Sequence, residues 1–181
     1  MKALTLFAVF ASSIVIAQTP PLAVTYGQGM AVAQNGQRAE FNFEVAKRAG
    51  ATAGAPPVVR GRFSMGLVMP SSTGPANTGR RIHMPQAAAL GVNGHVAEFG
   101  GPATMVIPTP NGPETINGRV QVRVDDQRRP DAPATTPARD HISVRFFRPS
   151  NTNPAGVMVF DYNGTVGRGD IVVRSAPTTT P

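Results

Sequence analysis

Four aspartates crowd into one segment of the chain, VDDQRRPDAPATTPARDHISV (124–144): Asp125, Asp126, Asp131 and Asp140. Carboxylate oxygens are the hard donors that calcium prefers, and a carboxylate beside His141 is raw material for acid–base chemistry. The spacing favours neither. The D-x-[DN]-x-[DN]-G pattern of a calcium loop is absent, and Arg128, Arg129 and Arg139 stand in the same segment, where they would repel a divalent cation. Asp140 and His141 are neighbours in sequence, and neighbours on a strand point to opposite faces, so their side chains would not meet. The four aspartates are the calcium candidates, behind a reading in which no metal is bound. That reading makes the segment a strand, a long loop and a second strand.

Other catalytic patterns are missing. The chain has no cysteine, and neither H-E-x-x-H nor G-x-S-x-G occurs. Nothing in it marks a cofactor site or a catalytic residue, so the expectation is a protein that is not an enzyme. The alternative is a small hydrolase or lyase with a site at a barrel mouth, built from His95, His141 and acidic neighbours. The tripeptide Arg168-Gly169-Asp170 invites an adhesive reading, but Gly167 and Gly169 more simply mark a bulge or close packing in a strand.

Arginine is the other candidate. The formal net charge is +7, and all the basic residues except Lys2 and Lys47 are arginine. A basic exported domain is drawn to anionic polymers such as envelope polysaccharide. Arg119, Arg123 and Arg145 project away from the core on strands that can pair, with Arg128 and Arg129 nearby, and these five are the binding candidates. With no Trp and two Tyr, the chain lacks the aromatic platform that single-stranded nucleic acid requires, so no specific nucleic-acid partner is expected.

The elements that must position these side chains are strands. In AEFNFEV (39–45), Phe41, Phe43 and Val45 share one face. Val120, Val122 and Val124 do so in GRVQVRV (118–124), as do Ile142, Val144 and Phe146 in HISVRFF (141–147). A period of two is the pattern of a half-buried strand. Asn-Gly pairs at 35–36, 93–94 and 163–164 suit two-residue hairpins, while Asn117-Gly118 suits a turn or a bulge. Only MPQAAALGV (84–92) tempts a helical turn. The expected fold is all-β, an antiparallel sandwich or barrel of about eight to ten short strands with little or no helix. Residues 1–17 carry Lys2, an apolar run and small residues at 15 and 17, the pattern of a signal peptide. The apolar run is shorter than the roughly 20 residues of a spanning helix. The expected plan is export to the periplasm or beyond, one domain over 18–174, and a disordered Pro/Thr-rich tail over 175–181.

A wider pattern joins these pieces: GQG (27–29), FNFEV (41–45), GRF (61–63), LGVNGHVAEFGGPA (90–103), INGRVQVRVDD (116–126), RDHISVRFF (139–147) and GTVGRGDIVV (164–173). In this it resembles a small secreted bacterial β-domain of the post-COAP type, whose role is undefined. The resemblance implies a β fold in which Asp125, Asp126 and Asp140 shape a strand-connecting loop and GRGD is a strand element. It implies no catalytic residue. The proline-rich loops 48–57, 70–80 and 127–139 are where a specialised function would sit.

Overall fold

The alternating runs fold as the half-buried strands that their pattern demands. A computed structural model describes residues 21–52, 54–68, 79–128 and 139–175; the expected signal peptide and the tail from 176 lie outside the described residues. The described residues form nine strands: β1 (Ala23–Ala33), β2 (Arg38–Arg48), β3 (Val58–Val68), β4 (Arg81–Met84), β5 (Ala89–Asn93), β6 (Val96–Thr109), β7 (Gly112–Asp125), β8 (His141–Arg148) and β9 (Val157–Ser175). No helix occurs among the described residues.

Each pairing is antiparallel, and the last strand, β9, returns to pair with the first. β4 and β5 occupy successive halves of one edge of β6. Arg81–His83 lies against Val106–Thr104, and Ala89–Asn93 against Gly100–Val96. The result is a closed up-and-down barrel with eight strand positions, the eighth shared by β4 and β5. Closure removes the exposed edges that an open sheet must otherwise protect.

The interior is filled. Phe43, Phe63, Phe146, Met84 and Met105 are buried there, and the Phe99 ring lies 5.1 Å from that of Phe43 and 6.1 Å from that of Phe63. An eight-stranded barrel is just wide enough for side chains to fill, and burying each large apolar side chain contributes roughly 1.5–3 kcal/mol. The packed interior directs attention to the outer faces and the ends.

Closure depends on close backbone contact between β1 and β9. Gly29 is paired with Gly169, and a Cβ on either would stand 2.1 Å from a carbonyl oxygen of the opposite strand. The register slips between Met30 and Ala31, opposite Arg168 and Val166. The GRGD stretch is therefore a bulged strand element at the closing seam.

Three local expectations need correction. Asn163-Gly164 is no hairpin but lies within continuous β9; a Cβ on Gly164 would come 2.6 Å from the Tyr162 hydroxyl oxygen, so the glycine makes room for that ring. Asn117-Gly118 is neither turn nor bulge, because β6–β7 pairing runs through it in unbroken register. Residues 85–88 form no helical turn. They are the crossing from β4 to β5, where Ala87 N donates to Gly61 O at 2.8 Å. Several strands are also long, β6 and β7 at 14 residues and β9 at 19. By contrast, Gly36 and Gly94 do serve the β1–β2 and β5–β6 turns, with φ of 81° and 59°.

Candidate functional site: a carboxylate clasp and an arginine-lined trough

The unequal lengths of β8 and β9 create a local problem. β8 pairs with β9 only as far as His141 opposite Thr165, yet β9 continues to Ser175 along β1. Its other edge would leave backbone groups without partners, and each one buried that way costs about 1–3 kcal/mol. The connection between β7 and β8 supplies the partners. Val166 N donates to Asp140 O at 2.8 Å. Ile171 N donates to Asp140 Oδ2 at 3.1 Å, and Val173 N to Asp126 Oδ2 at 3.0 Å. Arg128 Nη1 donates to Gly169 O at 3.1 Å, and Gln127 N to Asp140 Oδ1 at 3.1 Å.

Asp126 and Asp140 are thus buried, at 3% and 0% exposure. They act as a side-chain substitute for a missing strand. Burial pushes the Asp140 carboxyl up to about 6, with neighbouring Asp170 adding to the rise; the Ile171 amide and the Arg128 guanidinium oppose it. Arg128 stands 3.7 Å from Asp140 Oδ2 and 3.6 Å from Asp170 Oδ1.

The three described calcium candidates, Asp125, Asp126 and Asp140, do not converge on one point. Asp126 and Asp140 accept amide hydrogens, while Asp125 turns to His95, with Oδ1 3.4 Å from Nε2. Asp131 and Arg129 lie outside the described residues. Among the described residues no three His, Asp or Glu are placed to hold a metal ion. Asp125 is also the register partner of His141 across β7–β8, so of the two histidines of the hydrolase alternative one approaches its carboxylate and the other stands opposite it on the next strand. Asp125 Oδ1 is shielded from solvent and accepts no hydrogen bond. His83 lies apart on β4, opposite Thr104.

Arg119, Arg123 and Arg145 do gather. They line an open trough of about 740 Å³ on the outer face of β5–β8. The register sets its rows. Gly91, Glu98, Arg123 and Ser143 form one row, and Ala89, Gly100, Gln121 and Arg145 the next. Pro102, Arg119 and Phe147 form the third. Each arginine is already held. Arg123 is paired with Glu98, and Arg145 Nε lies 3.7 Å from Asp161 Oδ1. Arg119 donates to Ala155 O at 2.8 Å, with its guanidinium carbon 5.0 Å from the Phe147 ring centre. Arg128, grouped with them on sequence grounds, is instead turned to β9. Sequence reasoning missed Gly91, Glu98, Gln121 and Ser143. Gln121 and Ser143 alternate with the inward-facing valines and isoleucine of their strands, but their convergence depends on register.

No family model matches the chain, and no curated protein or solved structure matches it.

Proposed function

We propose that the chain is an exported, non-enzymatic β-domain with a structural, adhesive or binding role at the cell envelope or outside the cell. It contacts a polymer through the face bearing Arg119, Arg123 and Arg145. The observation that carries this reading is the trough, where three arginines from two strands line one open concavity. The filled interior supports it, because an outer face is then the available broad surface. So does the signal-like pattern of residues 1–17. The resemblance to the post-COAP type adds a secreted bacterial setting and no chemistry.

The test is co-sedimentation of the purified chain with its host's envelope fraction, at low salt and near half-molar salt. Pelleting at low salt supports the reading, and its survival in high salt separates shape and hydrogen bonding from screened charge. A chain that stays in the supernatant at both salts overturns it.

A second reading, a small hydrolase or lyase, draws on His95 beside the Asp125 carboxylate and His141 opposite Asp125 on the next strand. It requires turnover of some ester or glycoside that is lost in both His95→Ala and His141→Ala.

A further inference from the structure

We infer that the trough on β5–β8 binds a neutral, hydroxyl-rich glycan chain by hydrogen bonds, and not a polyanion by net charge. This rests on the binding role proposed above and names its ligand. The charges of the face lead to it. Two of its three arginines stand against carboxylates, Arg123 against Glu98 and Arg145 against Asp161. All four of those side chains are more than half exposed, so a chain lying along the face meets acids as well as bases. A polyanion would be attracted by each guanidinium and repelled by the carboxylate beside it.

A polyol fits both. Its oxygens accept from guanidinium N–H groups, and its hydroxyls donate to Glu98 in the trough and to Asp161 beside Arg145 on neighbouring β9, which accept only. Gln121 and Ser143, between the arginines, each donate and accept. The pairs also hold the guanidinium groups in place before a ligand arrives, reducing the ordering cost of binding. The floor is bare where a sugar ring would need to approach the strands. Gly91 points outward with nothing within 4 Å of the position of its missing Cβ. The volume, about 740 Å³, falls in the roughly 300–1,000 Å³ range of small-ligand sites.

The test is affinity electrophoresis of the full mature chain through gels loaded with dextran, galactomannan or polygalacturonate, at low salt and near half-molar salt. Two variants accompany it. Gly91→Leu fills the trough where space is open, and Arg145→Gln removes one exposed donor; melting temperatures verify that both fold. The expected result is retardation by at least one neutral polysaccharide, unchanged by salt, with affinity about tenfold weaker in Gly91→Leu. Retardation by polygalacturonate alone, abolished by salt, overturns the neutral-glycan inference and leaves the polymer-binding reading standing. Neutral retardation indifferent to both variants overturns the assignment to this trough. Retardation by none of the three overturns the inference, and the envelope sedimentation then decides separately whether the broader reading survives.

Discussion

The β7–β8 connection and the β5–β8 trough are built from the same chemistry, carboxylates and arginine, and use it differently. In the connection, Asp126 and Asp140 are sealed from water and accept backbone amides of β9. At the trough, Glu98 in its lining and Asp161 on neighbouring β9 stand in water beside Arg123 and Arg145. Buried acceptors answer groups that have no solvent to turn to, so their loss is costly. Exposed pairs exchange one hydrated partner for another and contribute about 0–1 kcal/mol. The first region supports the fold, whereas the second adds little to its stability.

The sharpest way to break this contrast is Asp140→Ala. It releases the amides of Gln127 and Ile171 together, and we expect a loss of about 3 kcal/mol, read from urea midpoints. An unchanged midpoint would mean that the clasp does not support β9.

The next effect is pH-dependent. The Asp140 carboxyl holds its proton up to about 6 in the folded chain, against an ordinary value of 3.8. Between those values the folded chain keeps a proton that the unfolded chain has released. This contribution is therefore fully present below pH 3.8 and lost as pH rises through 6, by on the order of 2 kcal/mol. Urea midpoints from pH 4 to 7 should show that decline in the native chain, and Asp140→Asn should lack it.

In the trough, Glu98→Gln and Arg145→Gln should each move stability by no more than about 0.5 kcal/mol. A larger shift in the melting curve would make the face structural and erase the distinction between the two regions. The smallest expected effect is that of calcium. With Asp126 and Asp140 committed to backbone amides, melting midpoints in EDTA and in millimolar calcium should coincide.

The strands most legible in the sequence were those whose outer faces are polar. Phe41-Phe43-Val45, Val120-Val122-Val124 and Ile142-Val144-Phe146 all point inward as alternation requires. Asn163-Gly164 misled because a dipeptide that favours a turn also serves wherever a side chain must be absent, here for Tyr162. The aspartates of 124–144 read as calcium candidates or, through the resemblance, as shapers of a strand-connecting loop, and nothing local announces that β9 outruns β8. That overhang is the difference between a strand of 19 residues and one of 8. Arg128 shared a charge with the trough arginines but not their location, because it follows β7 and turns back to β9.

The sequence by itself determined the strand-forming runs, the direction their apolar side chains face and two of the turns, because alternation and turn propensity act over a few neighbouring residues. It also determined the all-β class. Only the tertiary structure decided that the sheet closes as a barrel, that two aspartates replace an absent strand, and that residues from four strands share one trough. Those outcomes depend on strand length and register across residues far apart in the chain, where each backbone donor must find its acceptor and no local pattern records which one it finds.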